Sequence, residues 1–171
     1  TVNKHCFGSM RFGVQHSVVP MAQELRSAMA RLGAELHIID MAAGGDIDTE
    51  VFSKIELCDT FIVFGSAKYG EETDNQACTF YEYKYAFAAK KKIVLIRMIP
   101  FEGQFEELQA RVIFGANKLV IPWFIGTPMP ADLPDQIIEA MGINSNLAPV
   151  SPQLEEPLSP ALLQEGVMQQ Q

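Results

Sequence analysis

A doubly wound α/β domain, with five parallel strands in the order 2-1-3-4-5 and helices on both faces, is what the sequence predicts. Two observations carry this. Short apolar runs alternate strictly with helical patterns from residue 4 to about residue 141, which is the signature of successive βα units. The runs are apolar at consecutive positions and not at every second one, so both faces of each strand are covered and the strands are parallel. Five such strands in a chain of 171 residues fit a single flavodoxin-like sheet.

The strand-like runs are KHCFGSM (4–10), ELHIID (35–40), TFIVFG (60–65), KIVLIRM (92–98) and KLVIPW (118–123). The first helix is drawn by Val18, Ala22, Leu25, Met29 and Leu32, whose spacing of four and three residues makes one apolar stripe. Ser17 stands at its N-cap, Pro20 is tolerated in the first turn, and Gly33 stops it. A second helix covers about 48–57, with Asp46 and Asp48 as candidate caps. The third opens near Thr73 and Gln76, which have capping-box spacing, and runs to Lys90-Lys91-Lys92. Those lysines complement the helix dipole better than they serve a polyanion. Helices near 104–114 and 131–141 complete the order. From Asn144 the composition changes: Pro149, Pro152, Pro157 and Pro160 crowd together and the chain closes on MQQQ. Residues 1–143 therefore form the expected domain, and 144–171 a Pro-rich acidic segment, expected to be flexible, with a short helix at PALLQEG.

Composition excludes several classes of function. The net charge of −8 is uneven: residues 1–101 hold 11 Lys/Arg against 12 Asp/Glu, and the remainder 2 against 9. Such a chain offers no cationic footprint for nucleic acid. No apolar run approaches membrane-helix length, and TVNKHCFG has no signal-peptide layout, so a cytoplasmic location is expected. Cys6, Cys58 and Cys78 are odd in number and sit in core-like segments, which suits buried thiols in a reducing compartment. His5, His16 and His37 show no metal-ligand spacing with one another or with the cysteines, and no metal is expected.

In this topology ligands bind at the carboxyl ends of strands 1 and 3, where the winding reverses. The loops to read are GSMRFG (8–13) and GSAKYGEETDNQ (65–76), the second of which feeds the helix carrying Glu82. Ser9, Arg11, Ser66, Tyr69 and Glu82 are thus expected to border one crevice. Glu82 lies in CTFYEYKYAF (78–87) among aromatic residues, with no Lys or Arg three or four positions away. The first loop has Gly-x-x-x-x-Gly spacing, but Val14-Gln15 follow Gly13 where a P-loop needs Lys and Ser or Thr. Nucleoside-triphosphate hydrolysis is therefore excluded.

These motifs, in this order, resemble a TIR (Toll/interleukin-1 receptor) domain over about residues 4–142. Phe7-Gly8-Ser9-Met10-Arg11 matches the opening strand and turn, AAGGDIDTE (42–50) the BB loop, TFIVFGS (60–66) the third strand, and Cys78 to Glu82 the third-helix segment. The sequence departs from the family at Ala77, which stands for a tryptophan, in one extra residue between Cys78 and Glu82, and in a BB loop without proline. Pro122-Trp123-Phe124 only echoes the family's Phe-Trp box.

The resemblance implies an enzyme that cleaves NAD+ at the nicotinamide–ribose bond to give nicotinamide and ADP-ribose or a cyclic ADP-ribose, in defence or cell-death signalling. It implies Glu82 as the catalytic residue; Phe7, Ser9, Arg11, Ser66, Tyr69 and Cys78 as substrate-binding positions; and Gly44, Gly45 and Asp46 as the BB-loop assembly surface. NAD+ is the substrate, no further cofactor is implied, and other TIR domains are the expected partners in a homo-oligomer. Nicotinamide in NAD+ is already a cationic leaving group, so a lone carboxylate that stabilises an oxocarbenium-like ribose is chemically sufficient. The plainer readings are a solvated Glu82, a buried small Cys78, serines that satisfy their own turns, and Tyr81, Tyr83 and Tyr85 as packing residues. Two other functions fit the fold: a non-enzymatic TIR interaction module, and a nucleoside deoxyribosyltransferase-like enzyme with a glutamate nucleophile.

Overall fold

The computed structural model describes residues 2–12, 18–39, 47–74, 78–116 and 119–143. Gly13, Ser17, Gly44, Gly45, Asp46, Gln76 and the segment 144–171 lie outside the described residues. The elements run β1 (His5–Met10), α1 (Val18–Arg31), β2 (Glu35–His37), α2 (Ile47–Leu57), β3 (Thr60–Gly65), α3 (Thr79–Ala88), β4 (Lys92–Arg97), α4 (Leu108–Gly115), β5 (Val120–Pro122) and α5 (Leu133–Ala140). The five strands form one sheet in the order β2-β1-β3-β4-β5, and every pair is parallel. This is the flavodoxin-like arrangement that the alternation predicts.

Each face of the sheet has its own core. Cys6 and Met10 of β1, with Ile62 and Phe64 of β3, pack against Ala22, Leu25 and Met29 of α1 and against Leu133, Ile137 and Ile138 of α5. The opposite face carries Phe7, Phe61, Val63 and Leu95 against Val51 and Ile55 of α2, Tyr83 and Ala86 of α3, and Ala110 and Ile113 of α4. The division follows from the strand period of two. Residues 5, 7 and 9 of β1 share the α2/α3 face, so Ser9 ends the row that begins with His5 and runs through Phe7.

Element ends differ from expectation where tertiary contacts decide them. β2 and β5 are three residues each, shorter than the apolar runs, and Pro122 closes β5 on the edge, where it withholds no ladder bond from a neighbour. Helix α3 begins at Thr79 and not at Thr73: residues 73 and 74 are not helical, and Cys78 is the N-cap, its carbonyl accepting from Tyr81 N (3.1 Å) and Glu82 N (3.0 Å). α4 begins at Leu108 and not near 104. The Arg97 guanidinium holds the carbonyls of Ile99, Pro100 and Gly103, and Glu106 N donates to Ala67 O, which keeps 104–107 out of the helix. His5 and His37, unrelated by spacing in the sequence, come together across the β1/β2 pair.

The lysine run leaves α3 and does not form its last turn. Ala89 is the C-cap, Lys90 N donates to Phe87 O and Lys91 N to Ala86 O, a Schellman closure. Lys90 occupies the left-handed position of that closure, with φ 57°, where a Cβ costs about 1–2 kcal/mol. Lys90→Gly is therefore expected to raise stability by about 1 kcal/mol in urea unfolding. An unchanged or lowered midpoint would contradict the strain.

Candidate functional site

Three side chains from three elements meet at the carboxyl end of β1. Ser9 is the penultimate residue of β1 and 1 % exposed. Tyr69 comes from the turn after β3, where its N–H donates to Ser66 O at 3.1 Å, and it is fully buried. Glu82 lies in the first turn of α3 and is 5 % exposed. Ser9 Oγ donates to Glu82 Oε2 at 2.5 Å, and Ser9 Oγ and Tyr69 Oη share a second hydrogen bond of 2.7 Å. Ser9 and Glu82 are 73 residues apart, so only the parallel winding brings them together.

The loop that carries Tyr69 is fixed at both ends. Gly65 closes β3 at a point where an added Cβ would lie 3.0 Å from Ile96 O and closer still to the Phe114 ring. Gly70, at φ 85°, uses the left-handed region open to glycine, and its N–H donates to Thr79 Oγ1 at 3.0 Å. That bond ties the β3 loop to the first residue of α3, three residues before Glu82. Thr79 is a positioning group that no sequence motif marked; a hydroxyl at the opening of the helix was the available signal.

Burial decides the electrostatics. Withdrawal from water pushes the Glu82 carboxyl up to about 8, and the Ser9 hydrogen bond opposes this by favouring the ionised form. Among the described residues no cation contributes to that balance. The α3 N-terminus lies one turn away and favours negative charge there. The Tyr69 hydroxyl is held well above its usual range, first by burial and then by the neighbouring carboxylate, so it stays protonated. At neutral pH the site thus holds a carboxyl whose ionisation a cationic partner would promote.

The remaining candidates fall in different places. Phe7 is 1 % exposed and stacks on Phe61 with ring centroids 5.7 Å apart, so it is a core residue beneath the site. Ser66 is buried and shapes the turn, donating its N–H to Phe64 O. Arg11 reaches past the site to Glu71: its Nε and Nη2 each lie 3.0 Å from Glu71 Oε2, and Nη1 donates to Phe12 O. A phosphate seeking this guanidinium would have to displace Glu71. Cys78 is partly buried at the α3 N-cap and caps by its backbone, without a side-chain bond. Tyr83 packs edge-on to Phe61, Tyr81 donates to Glu72 and Tyr85 to Glu56. Two of the three tyrosines thus serve α3's surface and one its core. Gly44, Gly45 and Asp46 lie outside the described residues.

No protein-family model matches the chain, and no curated protein does. Among solved structures the chain is similar to the flavodoxin-like domain of a Synechococcus sp. protein, at 14 % identity and a TM-score of 0.44, over 80 % of this chain and 92 % of that one.

Proposed function

We propose that the chain is a TIR-like enzyme that cleaves NAD+ at the nicotinamide–ribose bond, with Glu82 as its catalytic carboxylate. The observation that supports this most is the Ser9–Glu82 pair. It is a buried carboxyl with no cationic partner among the described residues, oriented by a 2.5 Å hydrogen bond at the strand 1/strand 3 reversal where ligands of such sheets bind. In the proposed reaction the C1′–N bond breaks and nicotinamide leaves neutral with the bonding electron pair. The positive charge then develops on the ribose beside Glu82. Water adds to C1′ and releases a proton, giving ADP-ribose; an adenine nitrogen or ribose hydroxyl of the same molecule gives a cyclic product. A low-dielectric surrounding strengthens the field of the ionised carboxylate on that charge. Glu82 is 5 % exposed, so the side chains above it must move for a ribose to reach it.

The pH dependence of turnover tests the role of Glu82 directly. Only the ionised carboxylate stabilises the ribose cation, so kcat/KM should rise about tenfold per pH unit up to about 8, the value burial gives Glu82. Ser9→Ala removes the bond that favours ionisation, so the plateau moves to higher pH and kcat/KM at pH 7 falls about tenfold or more. A profile that is flat across this range, or unmoved by Ser9→Ala, contradicts the assignment. Exchange of bases on deoxynucleosides without turnover of NAD+ would point instead to a deoxyribosyltransferase-like activity.

A further inference from the structure

The opposite end of the sheet carries a second cluster of chemically capable side chains. His5 opens β1, and Glu35 and His37 begin and end β2. The register pairs His5 with Glu35 and Phe7 with His37, so all three side chains project from the same face of neighbouring strands. His5 Nδ1 lies 3.0 Å from His37 Nε2. Glu35 Oε2 is 3.5 Å from His5 Nδ1, and Glu35 Oε1 is 3.9 Å from His37 Nε2. The imidazole rings stack at 5.2 Å, inclined by 23°.

We propose that His5, Glu35 and His37 form a binding site for a divalent transition metal, with zinc the best match, separate from the Ser9–Glu82 site. The geometry supports this directly. Ligands about 2.0–2.1 Å from a tetrahedral zinc lie about 3.3 Å from one another. The two imidazole nitrogens are 3.0 Å apart, one Glu35 oxygen is 3.5 Å from His5 and the other 3.9 Å from His37, and one ligand atom from each residue falls within 4.8 Å of the others. Across this 3.0 Å contact one imidazole N–H donates to the lone pair of the other ring, and a divalent cation can take the place of that shared proton. A cation bound between them and the carboxylate gives both lone pairs and the Glu35 charge a partner. Two imidazoles and one carboxylate are a borderline donor set, suited to zinc, nickel or copper and poor for calcium or magnesium. His37 is 11 % and Glu35 64 % exposed, and a groove of about 470 Å³ bordered by Arg26, Glu50 and Lys54 opens beside them. The metal therefore has a path in and room for a water as its fourth ligand. Lys54 and Arg26 oppose a cation there, and Glu50 offsets one of those charges.

Spacing did not reveal this site because a metal-ligand pattern is sought along one segment. Here one ligand is 32 residues from its partner, and only the parallel register supplies the proximity. His5 lies roughly 13 Å from Ser9, four strand residues back along β1, and His37 sits level with Phe7 on the neighbouring strand. Zinc binding is measured without NAD+ turnover, so it stands or falls independently of the proposed NAD+ chemistry.

Isothermal titration of the metal-free full chain with zinc tests the proposal. One zinc per chain should bind with a dissociation constant in the micromolar range, and saturating zinc should raise the thermal midpoint. His37→Ala and Glu35→Gln should each weaken binding about tenfold or more. Glu35→Gln keeps the shape of an exposed side chain, so it decides the matter if His37→Ala folds poorly. No saturable binding, or affinity unchanged in Glu35→Gln, would overturn the site; the latter would assign the zinc to other groups such as the thiols.

Discussion

Glu82→Gln is expected to make the folded protein more stable than the wild type at pH 8, while removing its proposed activity. The carboxyl titrates near 8 in the folded chain against an ordinary value of 4.5. Below about pH 4.5 both folded and unfolded chains hold the proton, and the group has no effect. Between about 4.5 and 8 the unfolded chain releases the proton and the folded chain keeps it. The wild type therefore loses stability as pH rises, at up to about 1.4 kcal/mol per pH unit from this group alone. Above 8 both are ionised and the loss is complete. Glutamine has no such transition, can accept the Ser9 hydrogen bond through its carbonyl, and places its amide where the acid held its proton. Urea unfolding of both proteins from about pH 5 to 8 checks this, the difference between them removing the common contribution of the histidines. Parallel curves would mean that Glu82 is already ionised at neutral pH.

The second large effect is on catalysis. Loss of a preorganised electrostatic group that acts on transition-state charge typically costs about 10²–10³ in kcat, and the same is expected for Glu82→Ala on nicotinamide release. Glu82→Gln should fall equally far, because the amide retains the shape and the Ser9 bond but carries no charge. Glu82→Asp should recover little, since one methylene less draws the carboxylate away from the 2.5 Å contact with Ser9. Equal losses in a stable Gln variant and an Ala variant would separate the charge from the packing. If Gln retained most of the activity, the carboxylate would be a structural tie between β1 and α3.

Much of the fold was legible in the sequence because it rests on local pattern. Runs such as TFIVFG are apolar at every position, and β3 is buried along its whole length, so parallel pairing followed from composition. The stripe through Val18, Ala22, Leu25 and Met29 is the buried face of α1. What the pattern did not reveal was set by contacts from distant segments. The expected start of α3 at Thr73 gave way to Cys78, where the helix's first amides find their acceptor. The expected start of α4 near 104 gave way to an Arg97 side chain that organises 99–103.

The site divides in the same way. Topology alone grouped Ser9, Arg11, Ser66, Tyr69 and Glu82 at the carboxyl ends of β1 and β3, and Ser9, Tyr69 and Glu82 join there in one buried hydrogen-bonded cluster. Arg11 had the right address, but its partner Glu71 lies sixty residues on, and nothing local to Arg11 announces it. Phe7 matched a motif by position while its strand face committed it to the core. The His5–Glu35–His37 cluster was hidden for the converse reason: three ordinary residues acquire a shared direction only when β1 and β2 align.

The most direct test is nicotinamide release from NAD+ by concentrated wild-type protein, measured beside Glu82→Ala at the same concentration. Release by the wild type that falls at least a hundredfold in the variant is the predicted result. No release by the wild type at any concentration, or full release by Glu82→Ala, contradicts Glu82 as the carboxylate that faces the ribose.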